Sequence, residues 1–120
     1  MGKLSNIAPQ TQTENLLYDM VSVTAGVCEE ILYRGLLLAT LSSIVGIWPA
    51  VVLTSLIFGL GHAYQGISGV VKTGSVGLVL ALFTVFSGSL YIAIVLHTVL
   101  DLSSGRLMGR ALQTTPPQTT

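Results

Sequence analysis

The chain is short of charge. Only 8% of its 120 residues are Asp, Glu, Lys or Arg, against roughly 25% in an average soluble domain. That deficit argues against a soluble globule. It argues equally against a disordered chain, which is polar or highly charged. Five basic residues balance five acidic ones, so no basic surface invites nucleic acid. A single cysteine, Cys28, excludes an intrachain disulfide and a multi-cysteine zinc module. No Asp, Glu, Lys or Arg lies between Arg34 and Lys72, or between Lys72 and Asp101. Residues 1–13 lack the apolar core and small-residue cleavage site of a signal peptide.

What is present is apolar. Hydrophobic residues make up 51% of the chain, with a mean hydropathy of +0.78. A helix crosses a bilayer with about 20 mostly apolar residues, and each uncharged stretch is long enough for one. The sequence therefore reads as an integral, multi-pass membrane protein in contact with lipid. The expected fold is all-α, a polytopic bundle of about four transmembrane helices. Helices are expected over residues 14–40, 48–64, 70–86 and 90–103, the last extending toward 109. Pro49 suits a first helical turn, where no backbone donor is lost. The Val and Ile runs resemble buried strands, but their length and lack of alternation favour helices.

This divides the chain into a polar leader (1–13), a transmembrane core (14–109) and a polar tail (110–120) expected to be disordered. Four spans put both termini and the loop between the second and third helices on one side. Lys3, Lys72, Arg106 and Arg110 fall on that side, which the positive-inside tendency makes cytoplasmic. Glycines such as Gly59, Gly74, Gly77 and Gly105 suit close helix approach.

Against this background, Glu29, Glu30, Arg34, His62, His97 and Asp101 fall inside the expected helices. A charged side chain at mid-bilayer costs about 2.5 to 3.5 kcal/mol on the insertion scale, so such groups face a bundle interior and mark a functional site. Glu30 and Arg34 are four apart with the acid first, the favoured orientation for a helical ion pair. Glu29 points roughly 100° away around the axis. Glu30 is thus expected to brace Arg34, leaving Glu29 free to work. The competing reading is a single buried salt-bridge cluster of all three. Phe58 and His62 share one face of the second helix, and His97 and Asp101 share one face of the fourth. Glu29, His62, His97 and Asp101 are expected to line one polar cavity. A lone histidine on an apolar helix is more often structural, but two on different helices beside three acids favour a joint site.

Three motifs carry a resemblance. Glu29-Glu30-Ile31-Leu32-Tyr33-Arg34 resembles EExxxR, Phe58 to His62 resembles FxxxH, and His97 to Asp101 resembles Hxxx(N/D). In this order on successive membrane helices they resemble the CPBP family. That family groups CAAX prenyl endopeptidases of type II with bacteriocin-processing and bacteriocin-immunity proteins of the "Abi" domain. The resemblance covers about residues 15–105, including the run AGVCEEILYRGLLL. It implies an intramembrane endopeptidase cutting a peptide or protein substrate at the membrane face. It implies Glu29 as the base that activates a water, His62 as the group positioning that water, and His97 and Asp101 as oxyanion support. Glu30, Arg34 and Phe58 would support the site. Asp101 occupies a position where proteolytic relatives often have Asn, and an ionised Asp accepts hydrogen bonds without donating them. It could instead orient His97 or ligate a metal. Family members are usually longer, so partner helices or a homo-oligomer covering the polar face are expected.

The chemistry stands on its own terms. A buried carboxylate can take a proton from water, and an imidazole can donate to an oxyanion. No HExxH zinc helix and no nucleophile elbow is present. Cys28 in apolar surroundings is inert. Two histidines with a carboxylate can also ligate zinc, so Glu29, His62, His97 and Asp101 are the candidates if a metal serves. The competing functions are a non-catalytic immunity or regulatory protein that binds a partner, and a small proton-relay or transport bundle.

Overall fold

A computed structural model describes residues 8–114. The expected leader and tail lie partly outside them, over residues 1–7 and 115–120. The described residues are all-helical, with no strand among them, as the sequence predicts. The elements are α1 (Gln12–Glu30), a π-helical segment (Ile31–Leu37), α2 (Leu38–Val45), α3 (Ile47–Gly61), a 3-10 turn (Ala63–Gln65), α4 (Gly66–Ser87) and α5 (Leu90–Thr114). The first three run on without leaving helical backbone angles, so the chain forms four rods.

Boundaries follow local chemistry. Thr11 opens α1 with a capping box: Glu14 N donates to Thr11 Oγ1 at 3.2 Å, and Glu14 Oε2 accepts from the Gln10 and Thr11 amides at 2.7 and 3.0 Å. Those amides, Gln10 first, hold the Glu14 carboxyl below the usual carboxylate range. The helix thus starts inside the expected polar leader. Gly46, at φ 87°, separates α2 from α3, and Gly88, at φ 67°, ends α4 in the left-handed region that favours glycine. Helix α5 carries on through residues 110–114, where a disordered tail is expected from the sequence. Lys72 sits in the second turn of α4, on its exposed side, and not in a loop.

The π segment has a positional consequence. Glu30, Arg34 and Leu38 are spaced by four and are all buried. They continue, through the wider i→i+5 turn, the four-residue buried spacing that α1 already carries at Ser22, Gly26 and Glu30.

Packing relies on close approach. A Cβ at Gly59 would stand 2.8 Å from Val70 O and 3.0 Å from Gly74 Cα, so α3 and α4 touch backbone to backbone. Gly26 of α1 lies directly against Thr98 of α5, and Gly105 of α5 lies under the Tyr18 ring. Such small-residue contacts suit helices that associate in lipid, where water no longer drives apolar groups together. Leu38, Ala50, Val51 and Ala81 form a buried cluster at the end where α2, α3 and α4 meet.

Large apolar side chains face outward on every rod, among them Leu16, Val21 and Leu36, then Val52 and Leu60, then Val71 and Phe83, then Val95 and Leu107. A contiguous exposed apolar surface marks a membrane or protein interface. Two helical stretches, Ala63–Ser87 and Leu90–Ala111, are long and apolar enough to cross a membrane, and Ile47–Gly61 is apolar but shorter. The architecture is that of a helical membrane bundle. Of the four spans expected from the sequence, these two meet the length and composition criteria.

Candidate active site

The polar groups meet where the π segment begins. Glu30 is fully buried and acts as the hub. Its Oε1 accepts from Arg34 Nη1 at 2.9 Å and from His97 Nδ1 at 2.6 Å. Arg34 Nη2 donates to Gly77 O of α4 at 2.6 Å, and its guanidinium lies 4.6 Å from the centre of the Phe58 ring on α3. Arg34 thus ties three rods together from one position. The pairing of Glu30 with Arg34 is the one expected. Its sharing with His97 is not, and Glu30 is more than a brace.

A carboxylate beside a guanidinium only accepts, so His97 Nδ1 carries a proton. The opposite nitrogen, Nε2, faces Glu29 Oε2 at 3.6 Å and Asp101 Oδ2 at 3.4 Å. The His97 side chain is 7% exposed, whereas those of Glu29 and Asp101 are 31% and 37% exposed. The imidazole is therefore fixed from inside by Glu30, with Nε2 toward the more exposed Glu29 and Asp101 carboxylates. Glu29 Oε2 is itself shut off from solvent and accepts no hydrogen bond among the described residues.

His62 does not lie within a continuous helix, as the 48–64 expectation had it. Helix α3 stops at Gly61 and His62 forms its C-cap, at φ −103° and ψ 20°. Its Nδ1 stands 2.9 Å from Phe58 O. A carbonyl only accepts, so that nitrogen holds a proton and Nε2 is left for another partner. Phe58 is buried and central: its ring centre is 4.9 Å from that of His62 and 5.6 Å from that of His97. Tyr33 closes on Phe58 edge-on at 4.9 Å. His62 is thus joined to the cluster through an aromatic ring, while Glu29, Glu30, Arg34, His97 and Asp101 are joined by polar contacts.

Among the described residues, no three His, Cys, Asp or Glu side chains are arranged to hold a metal ion. Each histidine bonds a protein acceptor through Nδ1 and keeps Nε2 open, as metal-bound histidines also do, so it is the placing of the groups that decides the fit. The candidate set does not fit a zinc centre in this arrangement. Cys28, expected to be shut away in apolar surroundings, is instead exposed beside Glu29 on the helix.

Two features were not legible as site residues. Gly77 accepts Arg34 through its carbonyl, and a Cβ there would stand 2.8 Å from Phe58 Cδ1 and 3.2 Å from Arg34 Nη2. The Gly74–Gly77 spacing hinted at packing but not at which neighbour. Tyr18 reaches Asp101 O with its hydroxyl at 3.4 Å, three turns before the first motif, and carried no signal.

This constellation is a buried carboxylate–guanidinium–imidazole cluster in a helical membrane protein. The chain belongs to the family described as Type II CAAX prenyl endopeptidase Rce1-like, which matches residues 12–103. The match spans all four rods and every residue of the site. No curated protein and no solved structure matches the chain. Family membership supports CAAX-type intramembrane protease activity.

Proposed function

We propose that this chain is a multi-pass intramembrane endopeptidase, CAAX-processing-like, that hydrolyses a peptide bond at the cytoplasmic side with a water activated by Glu29. The observation that carries the reading is the solvent-shielded, unpartnered Glu29 Oε2 facing His97 Nε2 at 3.6 Å. A base beside an imidazole whose ring direction is fixed is what water-mediated acyl hydrolysis needs.

In this mechanism Glu29 takes a proton from water as its oxygen attacks the scissile carbonyl carbon. His62 accepts a hydrogen bond from that water at Nε2. The carbonyl oxygen becomes an oxyanion, met by His97 Nε2–H. Because Nδ1–H is held by Glu30, Nε2 donates only in the imidazolium form, and Glu29, Glu30 and Asp101 supply its counter-charge. Collapse breaks the C–N bond, and the proton held by Glu29 goes to the leaving amine. Arg34 holds the Glu30 carboxylate in place throughout.

Orientation has one geometric support. Pro9 O lies beside Gly109, so the two ends of the described chain share one end of the bundle. The test uses the purified chain in sealed liposomes with a peptide library added outside. Cleavage is expected when the terminal tags are exposed outside, and chelator should not alter it. No cleavage, or cleavage only in the opposite orientation, overturns the reading. An uncleaved library with retained binding would favour the non-catalytic regulatory function.

A further inference from the structure

We propose that Tyr18 is a positioning residue for this site, holding the turn of α5 that carries His97 and Asp101. The proposal rests on the protease reading above for its catalytic meaning, and on geometry for its substance. The Tyr18 hydroxyl donates to the Asp101 carbonyl at 3.4 Å. In a helix that carbonyl already receives the amide four residues on, and its second lone pair is free for the phenol.

The ring is seated as well as tethered. Gly105 is buried one turn beyond Asp101, and a Cβ there would overlap the Tyr18 ring, with Cδ1 and Cζ at 2.7 Å. From Tyr18 the inner face of α1 continues through buried Ser22 and then Gly26, packed on Thr98, to Glu30, bonded to His97. These residues are four apart, so they form one ladder against α5. Its upper rung fixes His97 through Nδ1. Its lower rung fixes the Asp101 backbone. The 3.4 Å separation of Asp101 Oδ2 from His97 Nε2 is set between the two rungs.

The phenol touches no reacting atom, so its loss acts through α5. Tyr18→Phe keeps the ring in its seat and removes the contacts of the hydroxyl, the tether to Asp101 O across to α5 and a hydrogen bond with Ser22 inside α1. With the tether gone, Asp101 shifts relative to His97, which changes transition-state support and leaves substrate binding alone.

The experiment uses the full chain in nanodiscs. Asp occurs only at positions 19 and 101, so carbonyl-labelled aspartate gives two NMR signals, of which one reports the tether. Tyr18→Phe is expected to move the Asp101 carbonyl signal, leave Asp19 unmoved, and lower kcat about two- to tenfold with KM unchanged, the scale of one hydrogen bond. It is also expected to move the His97 imidazole nitrogen signals in the otherwise native chain but not in Asp101→Ala. A carbonyl signal that stays put, or a His97 signal that moves equally in Asp101→Ala, overturns the proposal. The NMR arm needs no turnover. A native chain that cleaves nothing therefore defeats the protease reading alone, and the His97 signals still decide on Tyr18.

Discussion

His97 Nδ1 lies 2.6 Å from Glu30 Oε1, the same oxygen that accepts Arg34 at 2.9 Å. One buried carboxylate therefore does two jobs. It neutralises a guanidinium that cannot lose its charge, and it orients the imidazole that faces Glu29 and Asp101. Carboxylate–imidazole pairs fix ring tautomer and direction wherever a histidine must work at its other nitrogen. Here the pair joins the π-helical corner of the first rod to the middle of the last.

Glu30→Gln should therefore harm both folding and chemistry. It leaves Arg34 buried and charged without its partner, a loss of about 3–5 kcal/mol. Adding Arg34→Met should recover much of that stability, because an apolar side chain replaces the stranded charge. Activity should stay lost in the double variant, since the neutral amide accepts from His97 but no longer balances the imidazolium. Denaturation in detergent and cleavage by the folded fraction check the two parts.

Asp101→Asn should raise the cleavage rate about fivefold, the effect of one hydrogen bond of ~1 kcal/mol. Glu30 holds the ring through His97 Nδ1 and, with Glu29, still balances the imidazolium, so the charge of Asp101 can be lost while its place beside Nε2 cannot. The amide supplies an N–H donor that the carboxylate lacks. A large loss, together with chelator sensitivity of the native chain, would point instead to a metal role for Asp101.

Gly59→Ala should destabilise the bundle by about 1–3 kcal/mol, the usual cost of overpacking. The atoms in its way, Val70 O and Gly74 Cα, are backbone and cannot turn aside. The resulting separation of α3 from α4 shifts Phe58 and His62, so kcat should fall further than stability alone explains. Gly46→Ala, with nothing near its Cβ, should leave the α3–α4 contact unaltered and strain only the turn.

Much of this architecture was legible in the sequence because lipid imposes severe rules. Uncharged runs marked the apolar helices, and the few ionisable groups had to converge. The Glu30–Arg34 pair followed from spacing alone. What was not legible depends on partners far along the chain. Glu30 and His97 are separated by 67 positions, and nothing in either motif states that the second glutamate reaches the second histidine. The π turn depends on tertiary contacts that favour one face, which no local propensity encodes. The end of α3 at Gly61 was hidden because Ala63 and Tyr64 carry the apolar pattern past the point where the backbone leaves the helix at His62.

The capping box of α1 should open in acid. Backbone amides lower the Glu14 carboxyl below its ordinary value, so the contribution is full above the unfolded value and is lost as pH falls through the lower folded one. Amide proton shifts of Gln10 and Thr11 should move together in that window. Glu14→Gln should abolish the movement.

The most direct measurement is single-turnover hydrolysis of a peptide substrate by the native chain and by Glu29→Gln, both reconstituted in liposomes. Loss of a general base lowers the rate by about 10²–10⁴. The account predicts a loss of that size in a variant that stays folded, because Glu29 is partly exposed and outside the Glu30–Arg34–His97 hydrogen bonds. Equal rates for the two folded proteins would contradict it.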